Sequence, residues 1–133
     1  MCLFCKIVQG EIPCYKIYEN ADVLAFLDIG DDFYGHTLVV PKRHFKNLFD
    51  IPADELKSVM DAVQKIVNHY KSLGFSGANV FINNEPSAQQ CVFHLHVHII
   101  PRKENDGLEV CPTNSKQNFN FEEMQQLFRL TNV

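Results

Sequence analysis

Phe93-His94-Leu95-His96-Val97-His98-Ile99-Ile100-Pro101 is the stretch on which the fold turns. Apolar and histidine residues alternate strictly, which is the period-2 pattern of a half-buried strand. Phe93, Leu95, Val97 and Ile99 are therefore expected to face the core, and His94, His96 and His98 to share the opposite face. Same-face neighbours on a strand lie about 6.6 to 6.8 Å apart, so His94 and His98 should be roughly 13 Å from each other. A zinc–imidazole bond is only about 2.0 to 2.1 Å, so one ion could take at most an adjacent pair of these rings. The remaining imidazole then has another task. Half of the chain's six histidines fall within five positions, and titratable groups crowded in this way mark functional sites.

The 133 residues are 46% hydrophobic, enough to bury about two thirds of the unfolded surface as one domain, residues 1–133. There is neither a basic and apolar leader nor an apolar run of about 18 residues. A soluble cytoplasmic protein without membrane contact is expected, or a nuclear one in a eukaryote. The cysteines, at positions 2, 5, 14, 91 and 111, are odd in number and are read as reduced thiols, open to metal binding or to packing. A net charge of −4 argues against a broad nucleic-acid surface, which needs clustered Lys and Arg. An anionic ligand must be held by local donors.

Outward from the histidine stretch, Leu3, Phe4, Ile7 and Val8 have helical spacing and predict a helix over 2–9, stopped by Gly10. Strands over 16–19 and 23–28 should form a hairpin across Asn20-Ala21-Asp22. An acidic turn over 29–35 precedes a β-branched strand over 36–41, with His36 at its entrance and Pro41 closing it. Lys42-Arg43-His44 follows as a polar loop. From Pro52 to Leu73, the residues Leu56, Val59, Met60, Val63, Ile66, Val67, Tyr70 and Leu73 recur at three- and four-residue spacing and predict a long helix. Pro52 suits its first turn, Asp54 and Glu55 its dipole, and Gly74 the C′ position. A strand over 78–83 and a polar loop over 84–91 lead into the histidines. Residues 103–120 read as irregular, and Asn120 with Glu123 caps a last helix over 121–130. The sum is an α+β fold: a largely antiparallel sheet, one long helix, and short N- and C-terminal helices.

A neutral imidazole can act as a nucleophile, and phosphorus is a good target because a second, cationic imidazole can bind its oxygens. His96 is the best candidate nucleophile. His94 on one side is a metal ligand or a structural residue, and His98 on the other a phosphate binder. His36 is expected to fix the tautomer of His96 by hydrogen bonding.

The run His94-Leu95-His96-Val97-His98-Ile99-Ile100 resembles the signature of the histidine triad family of nucleotide hydrolases and transferases. The likeness extends to Cys2-Leu-Phe-Cys-Lys-Ile-Val-Gln-Gly-Glu-Ile-Pro13, Ala25-Phe-Leu-Asp-Ile29, Gly35-His-Thr-Leu-Val-Val-Pro-Lys-Arg-His44 and Ile82-Asn-Asn-Glu-Pro86, in family order. It covers residues 2–102 and is strongest for the phosphoramidase-like (Hint-type) branch; the extension 103–133 carries none of it.

The resemblance implies that His96 attacks the α-phosphorus of a nucleotide and forms a nucleotidyl-histidine that water hydrolyses, assisted by His36 and His98. It implies a purine pocket of Leu3, Phe4, Ile7, Phe26 and Ile29, with Asp28 accepting from the ribose hydroxyls, and a phosphate rim of Asn83, Gln89, Gln90 and Cys91. It also implies a structural zinc on Cys2, Cys5, His44 and His94, a normal tetrahedral Cys₂His₂ set, and a homodimer formed through the long helix and a sheet edge. The implied substrate is a purine nucleoside phosphoramidate, an AMP derivative. Dinucleoside polyphosphate hydrolysis, or a zinc-stabilised nucleotide-binding module with little turnover, are the alternatives. Where the family usually reads Asn-Gly-Pro-x-x-Gly-Gln-Ser/Thr, this chain has Asn84-Glu85-Pro86-Ser-Ala-Gln89-Gln90-Cys91. Glycine allows close backbone approach to phosphate, and a hydroxyl is a stronger donor than a thiol.

Overall fold

Strands β1 (Lys16–Glu19), β2 (Val23–Leu27), β3 (Thr37–Pro41), β4 (Gly77–Phe81) and β5 (Val97–Arg102) form one antiparallel sheet in the computed structural model. Their order is β1-β2-β3-β5-β4. Residues 1–30, 32–111 and 117–130 are described; Asp31 of the acidic turn and residues 112–116 of the irregular tail lie outside them. The helices are α1 (Leu3–Val8), α2 (Ala53–Ser72) and α3 (Phe121–Phe128). This is the expected α+β architecture, with one long helix and short terminal ones.

The sheet has two cores because its middle strands bury both faces. Val23, Ala25, Val39, Val97 and Ile99 pack on α2 through Val59, Ala62, Val63, Ile66 and Tyr70. The alternate residues Leu24, Phe26, Leu38 and Val40 pack with Phe4 of α1. Each buried Val, Leu, Ile or Phe among them contributes about 1.5 to 3 kcal/mol. The half-buried histidine strand inferred from alternation is thus corrected, since α1 covers the histidine side: His94 is 0% and His96 7% exposed.

The strand itself starts at Val97, not Phe93, because residues 92–94 bend. The neighbouring β3 ends at Pro41, which has no N–H to extend the ladder, and the Leu95 N–H donates instead to the carbonyl of Phe45 at 2.7 Å. Leu95, Val97 and Ile99 point into the core as alternation requires, whereas Phe93 is 43% exposed.

Helix α2 shows the predicted stripe except that Met60 is exposed and Ala62 takes a core position; Leu73, expected as its last apolar residue, is an exposed C-cap. Pro52 is the N-cap rather than the first helical residue. Gly74, at φ +104°, fills the left-handed C′ position. The last helix ends at Phe128, two residues early, and Asn120 caps it by accepting from the Glu123 N–H at 3.0 Å. Among the described residues no helix is long and apolar enough to cross a membrane.

Candidate active site and metal centre

His96 sits just ahead of β5, and its Nδ1 lies 2.8 Å from the carbonyl oxygen of His94. A carbonyl only accepts, so Nδ1 carries the proton and Nε2 keeps its lone pair. The tautomer of His96 is therefore set by its own strand's backbone and not by His36, as sequence reasoning supposed. Phe4 presents an edge to the ring at 5.0 Å. The His98 ring is 4.8 Å away.

His36 pairs with His98 instead, Nε2 to Nδ1 at 2.9 Å. Its other nitrogen faces the Asp28 carboxylate at 3.5 Å, so the proton on that side belongs to the imidazole. His98 stacks on Phe81 at 4.5 Å, and its Nε2 is buried without a partner. The turn that launches His36 is pinned from beneath: Tyr70 on α2 shares a 2.6 Å hydrogen bond with Thr37 Oγ1, which donates to the Gly35 carbonyl at 2.9 Å. Gly35 has φ +76°, and a Cβ there would meet Pro101 at 2.8 Å.

Burial disfavours the charged form of all these rings. It lowers His36, His94 and His96 below the ordinary imidazole value, and it pushes His98 down to about 4. All four are thereby biased toward the neutral form.

Beside His96 opens a cavity of about 280 Å³, lined by Leu3, Phe4, Ile7, Phe26, Asp28 and Ile29. These are the six residues expected to surround a nucleoside. Ile12, Pro13, Cys14, Leu27, Leu38 and Val92 complete the wall. Leu38 was legible, because it has the strand parity of His36; the Ile12-Pro13-Cys14 loop offers no periodic signal. Asp28 is held ready by the Gly30 N–H, which donates to Oδ1 at 2.7 Å.

The loop expected to form a phosphate rim shows a division of labour. Gln89 and Cys91 are exposed and Asn83 is half-buried. Gln90 is 4% exposed, and its amide is consumed internally: Oε1 accepts from Asn47 and from the Glu85 N–H, and Nε2 donates to the carbonyls of Lys46 and Val92. Asn47 was missed from the sequence, where a lone asparagine in a polar loop carries no signal.

On the far side of His94 lie Cys2, Cys5 and His44. The six separations among Cys2 Sγ, Cys5 Sγ, His44 Nδ1 and His94 Nδ1 run from 3.1 to 3.6 Å. A zinc tetrahedron with bonds of about 2.3 Å to sulfur and 2.0 to 2.1 Å to nitrogen has edges of roughly 3.3 to 3.8 Å. The donor set fits a tetrahedral metal ion. His94 Nε2 donates to the Pro41 carbonyl at 2.8 Å, which leaves the Nδ1 lone pair facing the cluster. Cys2 is also the N-cap of α1, its sulfur accepting from the Cys5 N–H at 3.2 Å.

Residues 9–105 match the model of the HIT domain. An uncharacterised HIT-like protein of Methanocaldococcus jannaschii is 48% identical over 124 residues, covering 93% of this chain and 95% of that one. The adenosine 5′-monophosphoramidase hnt1 of Schizosaccharomyces pombe is 43% identical over 110 residues, covering 82% and 80%. Among solved structures, a zinc-bound histidine triad family protein of Mycobacterium smegmatis superposes with a TM-score of 0.78 at 36% identity, covering 96% of this chain and 90% of that one. With the family model covering well over half of its length, and relatives this similar along nearly all of it, the chain belongs to the HIT family.

Proposed function

We propose that this chain hydrolyses purine nucleoside phosphoramidates through a nucleotidyl-histidine on His96. The observation that carries the reading is the 2.8 Å contact of His96 Nδ1 with the His94 carbonyl, which leaves a nucleophilic Nε2 beside an apolar pocket with one carboxylate. Nε2 attacks the α-phosphorus, the phosphorus–nitrogen bond to the leaving amine breaks, and that nitrogen takes a proton from solvent. Water then attacks the same phosphorus, the lone pair on His98 Nε2 takes its proton and passes it back to solvent, and the bond to His96 breaks to release AMP. Asp28 orients the ribose and keeps the proton of His36 on Nδ1, so that His36 Nε2 accepts from His98 and holds it in place. Cys2, Cys5, His44 and His94 would hold zinc, which supplies structural closure and no reaction step. The five free cysteines suit a reducing, cytoplasmic setting. A homodimer completes the reading, through the outer edge of β4, where Val80 is 41% exposed, and the α2 surface at Met60.

The test is AMP release from an adenosine phosphoramidate and, separately, from a diadenosine polyphosphate. Release from the first supports the reading. Release from the second alone replaces it with polyphosphate hydrolysis, and release from neither with a binding module.

The pH profile follows from burial. A histidine with a lowered folded value stays neutral above the ordinary 6.5 and protonates only as the pH falls toward that folded value. We expect kcat/KM to be flat between about pH 6.5 and 8 and to fall only below that window. An acid limb centred at or above 6.5 would contradict it.

The rim predicts a gain of function. Gln89 adopts φ 68°, a conformation that glycine holds without strain, and Cys91 offers a weak thiol donor where a serine hydroxyl would be stronger. The double substitution Gln89→Gly with Cys91→Ser should raise kcat/KM about tenfold, or about 1.4 kcal/mol. An unchanged or lower value in steady-state kinetics would mean that these positions do not limit phosphate binding.

A further inference from the structure

Loop 84–91 contains two backbone conformations that residues with a Cβ rarely hold. Glu85 has φ 75° and ψ 159°, a region almost confined to glycine, and Gln89 is left-handed at φ 68° and ψ 27°. Such residues persist only where the surroundings over-determine them.

Three neighbouring side chains do so here. The Glu85 carboxylate accepts from Asn47 Nδ2 at 2.6 Å and from Lys46 Nζ at 3.0 Å. Its N–H donates to Gln90 Oε1 at 2.8 Å, and its carbonyl accepts from the N–H groups of Ala88 and Gln90. Asn47 and Gln90 are 1% and 4% exposed and bonded to each other at 3.0 Å. All four of their amide N–H donors are engaged within the protein and Gln90 Oε1 accepts twice, so neither has a donor left for a phosphate and both act through the loop. The two segments joined in this way lead directly to His44 and His94.

We propose that Lys46, Asn47, Glu85 and Gln90 form a latch that fixes the shape of loop 84–91 and thereby positions the phosphate rim against His96. They are positioning residues, not ligands. The structural half of the proposal stands on geometry; its catalytic consequence rests on the hydrolase reading above.

The test compares Glu85→Ala with Glu85→Gly by hydrogen exchange of the loop amides and by steady-state kinetics. At an ordinary position alanine orders a chain better than glycine. Here alanine keeps the strain and loses the latch, whereas glycine loses both, so the order should invert. Loop exchange should rise about tenfold in Glu85→Ala, with Glu85→Gly between it and wild type. The kcat of Glu85→Ala should fall about fivefold while KM moves less than about twofold, because the aromatic and aliphatic pocket lies mostly outside the loop; glycine should recover part of the loss. Lys46→Ala, which removes a half-exposed ion pair and the contact of Nζ with the Phe93 ring at 5.3 Å, should raise exchange about twofold. Unchanged exchange in Glu85→Ala and Lys46→Ala, or faster exchange in Glu85→Gly than in Glu85→Ala, overturns the latch. Faster exchange with unchanged kcat overturns its positioning role. If wild type releases AMP from no nucleotide the reaction assignment fails, and the exchange order still decides the latch.

Discussion

His96→Ala should lower phosphoramidate turnover by on the order of 10⁴-fold or more, the scale on which removal of a sole nucleophile acts. The expectation rests on the placement of the ring. Its Nδ1 is tied to the His94 carbonyl at 2.8 Å and its neighbours are Phe4 and His98, whose own unpartnered Nε2 is buried. His36 and His98 occupy each other, and His94 is turned toward the two cysteines. AMP affinity should change less than about threefold, because the pocket wall of Phe26, Ile7 and Asp28 is untouched. Rapid acid quench of the wild type followed by mass spectrometry should locate the nucleotide on His96. An adduct on any other residue would sink the mechanism.

The second large effect belongs to the cysteine and histidine cluster. We expect about one zinc per chain after purification without chelators, and Cys5→Ser should lose it. A metal that binds only the folded chain stabilises that chain by its binding free energy. Even a loss of about 3 kcal/mol would lower the Tm of a domain of this size by roughly 10 °C. The stability lost should be larger than the activity lost per folded molecule, because the cluster touches the reaction only through His94, whose carbonyl orients His96. Metal analysis that finds no zinc, or a Cys5→Ser protein that melts with the wild type, would remove this claim.

Much of this was legible from residue patterns because the physics was local. Alternation placed Leu95, Val97 and Ile99 inward, the three- and four-residue rhythm placed Val59, Val63, Ile66 and Tyr70 on one helix face, and Asn120 with Glu123 announced a cap. Failures came where distant segments meet. The bend that exposes Phe93 follows from the proline ending a neighbouring strand, and the covering of the histidine face by α1 depends on a docking that no periodicity encodes. The tautomer of His96 is set by a carbonyl two residues away, an option that side-chain reasoning overlooked in favour of His36. The cysteine and histidine cluster is the opposite case. Its four members are scattered in sequence, and only the family resemblance grouped them before the structure brought them together.

That scatter has a consequence for how the chain is made. Cys2 and Cys5 leave the ribosome before the two histidines of the cluster, His44 following Cys2 by 42 residues and His94 by 92. At roughly 5 to 20 residues per second, the thiols wait on the order of 5 to 20 s for their last partner. During that interval the four-residue cluster is incomplete, and helix α1, which carries Phe4 into the pocket, has nothing yet to fasten to. The clasp can close only after β1, β2, β3, α2 and β4 have been synthesised. Helix α1, translated ahead of the sheet that it covers, is therefore among the last elements of this domain to be secured.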